Sequence, residues 1–420
     1  MKSRVAHLLW FAVLLTIAIT PLLVSPAAKN AYRLPKTLFF QSMMLLVAAS
    51  ILAWHLLGGS LARYERHRLP LVLAAAAFVW TIVTSAFAMQ REVTASAWLT
   101  VLCSGVLVVA TIGFARRAVA PPFIALFAPA AINAFVGMLQ GLHLWTPIAL
   151  DRMPKGRLAV MGLLGNPDYV GAYLMVPAIA AIAAAIAFTQ HRRIFAGVAI
   201  VLLAGIFFTQ SVTAIGAFML SALSFTFLVR AKGVRIAVAA IVLLVIASVL
   251  AYGPSRERLL HMREFLRGGQ LMELTSYRPP AVMVALDLFR ERPLLGAGPG
   301  NYEAHYMSYK LRVDERFPQW IRPMNANFGE AHNDHVQLLA ETGLPGYLLY
   351  LAALASVASI SFRRHGTSQR AEFARVFALP ATIGFAVVGL AQFPLYLTSV
   401  AATSLFAFTL ARVWSFDEGD

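Results

Sequence analysis

Charge is scarce in this sequence, and acidic charge scarcest of all. Of its 420 residues 13% are Asp, Glu, Lys or Arg and 59% are hydrophobic, whereas soluble domains carry about 25% charged residues. An ordinary soluble fold is excluded. The single cysteine, Cys103, lies in an apolar run, which rules out an internal disulfide and a multi-cysteine metal site. Acidic residues number 19 against 35 basic, a net charge of +16. The basic residues are scattered between apolar segments instead of gathered in one patch, so nucleic acid is not the partner. Inside the apolar runs ionisable groups are nearly missing, Glu341 being the closest exception. Ion-coupled transporters usually need such groups and often carry inverted repeats, neither of which is evident. His143 and the polar Asn133 remain near membrane depth.

What is present is hydrophobic length. The mean hydropathy is +0.71, and apolar runs of about 20 residues, enough to cross a bilayer, recur along the chain. They fall near 6–25, 37–58, 69–88, 95–115, 120–141, 168–188, 194–209, 212–229, 234–252, 338–360, 375–391 and 395–411. The expected fold is an all-α polytopic membrane protein of about 12 transmembrane helices. Residues 1–252 hold the first nine, 253–335 form one large loop and 336–420 hold the last three. The stretch Met1 to Ser25 has a basic start and a long apolar core, read as an uncleaved first span.

Alternate connections differ in charge. Arg63, Arg66, Arg68, Arg116, Arg117, Arg192, Arg193, Arg230, Lys232, Arg235, Arg363, Arg364, Arg370 and Arg375 fall on one side. The short loops of the other side hold Lys29, Arg33, Lys36, Arg91, Arg152, Lys155 and Arg157. The positive-inside rule then puts both termini in the cytoplasm and the large loop outside.

Two outer segments stand out. The first, 142–167, leads through Gly162-Leu-Leu-Gly-Asn-Pro-Asp168 into the sixth span. The second, 253–335, opens with Arg256 to Leu271, which reads as a basic amphipathic helix on the membrane surface. A further helix is expected from Pro279 to Arg290, with Pro279-Pro280 at its start. Gly296-Ala-Gly-Pro-Gly-Asn-Tyr302 reads as a flexible turn; it lacks the Lys-Ser/Thr of a phosphate-binding P-loop.

The loop ends in Glu330-Ala-His-Asn-Asp-His-Val-Gln337. Asp334 and Gln337 read as a capping box, starting a helix there. His332 would then sit just outside a helix N-terminus, whose partial positive charge keeps the imidazole neutral. From position alone His332 equally reads as a capping or headgroup-contacting residue. A metal held by His332, Asp334 and His335 is a third reading, but the spacing is not one zinc uses. Gly343 and Gly346 read as close-packing positions.

His332-Asn333, nine residues, Gly343, two residues and Gly346 form a pattern that resembles the O-antigen ligases and related polysaccharide polymerases. Arg278, the Pro293 to Tyr302 segment and Gly165-Asn166-Pro167-Asp168 resemble the same family, mainly over 157–180 and 275–350. The resemblance implies a GT-C-like membrane fold with one large periplasmic loop. It implies an inner-membrane glycosyltransferase that needs no metal or other cofactor. The donor would be an undecaprenyl-diphosphate-linked glycan and the acceptor lipid A–core or a growing glycan, among membrane lipids. His332 matches the family histidine, and Arg278 the loop arginine that meets the diphosphate. Asn333, Asn166, Asp168, Asn301 and Tyr302 are further candidates for substrate contact. The family's Ser-Arg pair between two central spans reads Ser211-Val212 here, and Arg157 is the candidate replacement for its charge. A sugar hydroxyl needs a base to attack C1, and a leaving diphosphate needs fixed positive charge. Direct displacement inverts the anomeric carbon; a covalent route would need a carboxylate, for which Asp168, Glu330 and Asp334 qualify by position.

Overall fold

The computed structural model describes residues 2–60, 62–146, 156–320, 328–363 and 367–418, so Arg152, Lys155 and Arg364 lie outside the described residues. Among these every regular element is a helix. The first ten are α1 (Lys2–Ile19), α2 (Leu34–Leu56), α3 (Ala62–Arg66), α4 (Arg68–Ala86), α5 (Ala95–Phe114), α6 (Ala120–Gly141), α7 (Pro167–Ala187), α8 (Arg192–Thr209), α9 (Val212–Leu228) and α10 (Lys232–Ala251). A four-helix loop follows, of α11 (Gly253–Arg267), α12 (Leu271–Leu274), α13 (Pro279–Glu291) and α14 (Asn301–Arg316). The chain then returns through α15 (Asp334–Ala358), α16 (Gln369–Gly389) and α17 (Thr398–Trp414). A helix satisfies its own backbone, which is why apolar runs in lipid take this form.

Each expected apolar run falls on a helix, and ten are long and apolar enough to cross a membrane. At 17 residues each, α9 and α17 extend only about 25 Å, short of the ~30 Å hydrocarbon core. The protein is a polytopic α-helical membrane protein. Leu46, Leu52, Val72, Ile200, Phe227 and Leu243 point outward from the bundle, as lipid-facing residues do. The centre is α7, buried along nearly its whole length against α6, α8, α9 and α16. Its Ala178 to Ala187 stretch is mostly alanine, which lets neighbouring helices approach closely. Arg116 reaches His7 at 3.4 Å, Arg370 donates to the Arg117 carbonyl at 2.8 Å, and Ser368 donates to the Asp417 carbonyl at 3.0 Å. Both ends of the chain thus meet at one end of the bundle.

The loop departs from expectation in several places. The basic amphipathic helix starts at Gly253 and stops at Arg267, with Leu271–Leu274 as a separate turn of helix. The second helix forms over Pro279–Glu291 as expected. Asn301 and Tyr302 open α14 instead of closing a turn, Gly300 supplying its N-cap with φ +77°. Tyr302, Tyr306, Tyr309 and Val313 form one face of α14, packed on Ala281, Val284, Ala285 and Leu288 of α13.

The glycine turn is held, not free. Within α15, Gly343 leaves helical geometry at φ +67°, ψ −177°, which frees backbone groups that lipid cannot satisfy. The loop takes them up. Ala297 N–H donates to the Ala340 carbonyl at 2.8 Å and Gly298 N–H to the Glu341 carbonyl at 2.9 Å, while Leu344 N–H donates to the Pro293 carbonyl at 2.8 Å. Trp80 of α4 donates to the Thr342 carbonyl at 2.8 Å. Glu341 accepts from Tyr302 N–H at 3.3 Å and the Tyr396 hydroxyl at 3.0 Å. With its N–H groups spent this way, the turn cannot cradle an anion. Gly343 therefore serves the approach of the loop rather than helix–helix packing, because a Cβ there would strike the Leu294 carbonyl. Gly346 does face a helix, meeting Trp80.

Gly343→Ala is expected to lower the unfolding temperature of the purified protein, by a strain of about 1–3 kcal/mol, and to expose the 293–300 segment to protease. Thermal melting and limited proteolysis in detergent would check this; an unchanged melt and digest would contradict it.

Candidate active site

Three segments far apart in sequence bring their charge to one carboxylate. Asp168 stands at the second position of α7, behind Pro167, with Asn166 as N-cap accepting from the Asp168 N–H at 2.8 Å. The approach to this cap is pinned from below: Asn133 Oδ1 accepts from Leu163 N–H at 3.0 Å, and Gln140 Oε1 from Gly162 N–H at 2.7 Å. Asp168 Oδ1 accepts from Arg157 and, at 2.6 Å, from the Ser211 hydroxyl. Arg278 lies 3.7 Å from Oδ2 and donates its other terminal nitrogen to the Ala391 carbonyl at 2.7 Å.

The turn between α8 and α9 completes the group. Arg157 Nε donates to the Thr209 carbonyl at 3.0 Å, and Arg258 donates to the Gln210 carbonyl at 2.8 Å. Arg157, Asp168 and Arg278 lie close enough to Arg258 to act on its charge. Burial first, then the repulsion of Arg157, lowers Arg258 to about 10. One carboxylate faces three guanidinium groups, so the site is left positive.

Arg278 is aimed by an uncommon backbone. Ser276 and Tyr277, immediately before it, take φ of +55° and +60°, a region non-glycine residues enter at a cost and chiefly where the surroundings demand it. Tyr277 N–H is held by the Met272 carbonyl at 2.7 Å. Arg278 then occupies the N-cap position of α13, ahead of Pro279-Pro280.

His332 shows the same trait, with φ +52°. The helix start differs from the capping box drawn on the sequence. Asn333, not Asp334, is the N-cap of α15, accepting from His335 N–H at 3.0 Å and Val336 N–H at 3.2 Å. Gln337 reaches further back, to Ala331 N–H at 2.8 Å. His332 is therefore not the capping residue. Its ring stands edge-on to Phe393 at 4.9 Å and to Phe328 at 5.3 Å, between centroids. Its Nδ1 is buried with no hydrogen-bond partner among the described residues, which is uncommon and calls for a reason. Burial above all, and then the positive charge of Arg278, brings the imidazole down to about 4. The neutral ring expected from the helix dipole has other causes here, desolvation first and then the Arg278 guanidinium.

The remaining candidates separate. Asn333 and Asn166 are caps. Asn301 is fully buried, pairing with the Gln90 backbone at 2.8 and 3.1 Å, and the Tyr302 hydroxyl donates to the Ala281 carbonyl at 3.0 Å. Both hold the loop's core together and do not join the arginines. Asp334 is fully buried, accepting from Leu395 N–H at 3.0 Å, and His335 contacts the Tyr347 hydroxyl and the Ala386 carbonyl, each at 3.1 Å. His332, Asp334 and His335 thus do not converge. Lys36, read as a loop cation, is instead buried in α2, donating to the Leu23 and Leu163 carbonyls.

Two arginines went unnoticed as site residues. Arg258 reads on the sequence as one of several cations on a surface helix, yet it turns inward. Arg33 pairs with Glu330 at 2.5 Å, lies 5.7 Å from the Phe393 ring centroid, and with Arg278 depresses His332. Beside it a small cavity of about 50 Å3 runs between Tyr32, Lys36, Tyr169 and Tyr396.

Residues 197–351 match the family model described as O-antigen ligase, which supports an O-antigen ligase-like superfamily. The matched segment includes His332, Arg278, Arg258 and the 209–211 turn; Arg157, Asp168 and Arg33 lie before it. No curated protein matches the chain.

The buried imidazole gives a signed pH dependence. Between about 6.5 and about 4 the unfolded chain protonates His332 and the folded chain does not, so stability falls as pH drops through this window. A His332→Gln variant is expected to lose that component. Melting curves of both proteins from pH 7 to pH 4 would check it; parallel pH profiles would contradict it.

Proposed function

We propose that this protein is an inner-membrane glycosyltransferase that moves a glycan from undecaprenyl diphosphate to a sugar hydroxyl. The proposed acceptor is lipid A–core, which makes it an O-antigen ligase. A polymerase, which extends a second carrier-linked chain, is the neighbouring reading within the superfamily. In this reading the termini are cytoplasmic and the site opens to the periplasm. The family match supports a ligase- or polymerase-type function. The observation that carries the proposal is the meeting of an unprotonated imidazole, its Nδ1 unpaired among the described residues, with an excess of guanidinium groups. A transporter would call for ionisable groups strung through the spans; here Arg157, Arg258 and Arg278 converge on Asp168 at one end of α7.

In the proposed reaction His332 accepts the proton of the acceptor hydroxyl as its oxygen bonds to C1 of the glycan. The bond from C1 to the diphosphate oxygen breaks at the same time, and the leaving lipid diphosphate keeps the electron pair. Arg278, Arg157 and Arg258 stabilise that charge, planar guanidinium groups being suited to phosphate oxygens. Displacement of this kind inverts C1. The carboxylates that a covalent route would need are engaged: Asp168 by two arginines and Ser211, Glu330 by Arg33, and Asp334 by burial and Leu395.

A base held at about 4 is weak, and donor binding would strengthen it. An anionic diphosphate beside Arg278 offsets the charge that depresses His332 and attracts the imidazolium. The donor would then help raise the basicity its own transfer requires.

His332→Ala is expected to reduce transfer by about 10²–10⁴-fold in a protein that still folds and inserts. Arg278→Lys is expected to lower turnover because a point charge does not replace a planar fork. Purified protein with lipid-linked donor would be assayed with lipid A–core and, separately, with a second carrier-linked glycan. Full activity in His332→Ala would end the general-base role, and product only on the second carrier would favour the polymerase. The acidic limb of the kcat profile is expected at higher pH than that of kcat/KM, since kcat reports the donor-loaded enzyme; coincident limbs would overturn the coupling of donor and base.

A further inference from the structure

A second basic site lies at the opposite end of the bundle, and the proposed reaction makes no use of it. Ser211, beside Asp168, is separated from Leu228 by the length of α9, about 25 Å. At that far end a cavity of about 510 Å3 opens where α7, α8, α9, α10 and α16 begin or finish. We propose that it binds the phosphodiester headgroup of an anionic membrane phospholipid.

The charges at the cavity do not cancel. Arg375 is held by Glu372 through two bonds of 2.7 Å and by the Leu228 carbonyl at 3.0 Å, so this pair is neutral and fixed. Among the described residues Arg192 uses only its Nε, donating to the Ala185 carbonyl at 3.2 Å. Arg230 is exposed and makes no hydrogen bond or ion pair among the described residues. Two guanidinium groups are thus left to face a cavity with one already paired carboxylate. The start of α10 adds to this. Its N-cap is Ala231, which has no side-chain acceptor; Val234 N–H is taken by the Ala231 carbonyl at 3.1 Å, which leaves the N–H groups of Lys232 and Gly233 to an anion at the rim.

The remaining walls argue for a lipid over a free anion. Leu228, Val229 and Val234 line the cavity. From it α10 runs along the bundle with Ile236, Leu243 and Leu244 exposed, a surface for acyl chains. Basic pockets between membrane helices that meet an apolar flank bind anionic headgroups in this manner. The site also has a structural use. α10 packs chiefly against α9 and α11, and α11 carries Arg258. A headgroup held between the starts of α8 and α10 would fasten a loosely held helix that leads directly to the other basic cluster.

Full-length protein in detergent would be titrated with short-chain phosphatidylglycerol, short-chain phosphatidylcholine and inorganic phosphate, reading bound lipid by native mass spectrometry and stability by melting temperature. Phosphatidylglycerol is expected to bind and stabilise preferentially. The double variant Arg192→Gln, Arg230→Gln is expected to bind it about tenfold or more weakly, because two fewer cations would face the headgroup. Arg192→Lys with Arg230→Lys should retain the preference, and Val234→Trp should weaken binding without altering charge. Equal affinity in wild type and the glutamine variant would overturn the proposal. So would equal preference for phosphatidylcholine, or full stabilisation by inorganic phosphate alone, which would mark a free-anion site.

Discussion

One half-buried carboxylate with more positive charge around it than it can neutralise sets the character of this molecule. Asp168 alone faces Arg157, Arg258 and Arg278, all at least partly withdrawn from water. Charges out of water are costly unless paired, and pairing here is incomplete by construction. The surplus can be lowered by a bound anion or by keeping nearby titratable groups unprotonated. His332 follows the second course: burial and Arg278 hold it neutral. Under the proposed function, the surplus that would meet a leaving diphosphate also keeps the imidazole unprotonated, and no separate device is needed for each.

That arrangement survives only if the loop carrying Arg278 cannot drift. The fastening is the break in α15. A membrane helix that interrupts its hydrogen bonding must satisfy the freed groups from protein, and here the partners come from Pro293 to Gly298 and from Trp80. The α4–α5 connection grips the same loop from its other side, through Met89 to the Ala297 carbonyl at 2.8 Å and through Arg292 to the Phe87 carbonyl at 2.9 Å. With the loop fixed, strained backbone at Ser276, Tyr277 and His332 becomes tolerable, since surrounding contacts over-determine it.

Much of this was legible in the sequence because apolar length and helix caps are local signals. The twelve apolar runs, Asn166-Pro167 at the start of α7 and the position of His332 at a helix entrance needed no tertiary knowledge. The cap itself was misread by one residue: Asn333 and Asp334 are both good N-caps, and burial of Asp334 against Leu395 decided between them. The helix α14 had a readable signal in Tyr302, Tyr306, Tyr309 and Val313, spaced for one helical face, but the preceding glycines drew it into a turn. Asn301 and Tyr302 were assigned to substrate by motif although burial gives them structural work. Arg258, Arg33 and Lys36 were illegible in principle. Whether a cation on a short helix or at a helix start turns to water, lipid or a carboxylate depends on contacts with residues far away in the chain.

The missing arginine at Val212 illustrates why such charges should be sought in space. In the family that this chain resembles, a Ser-Arg pair at the turn supplies a guanidinium from within the turn. Here the serine remains and binds Asp168, while Arg157 and Arg258 arrive from either side and fasten to the Thr209 and Gln210 carbonyls. A backbone carbonyl is an indifferent anchor, available whatever the side chain, so the turn can orient guanidinium groups it does not itself carry. Electrostatic stabilisation requires charge at a place rather than from a particular residue. Under the proposed function, a site built on that requirement can lack the arginine found at this turn in the family the chain resembles and still present positive charge there.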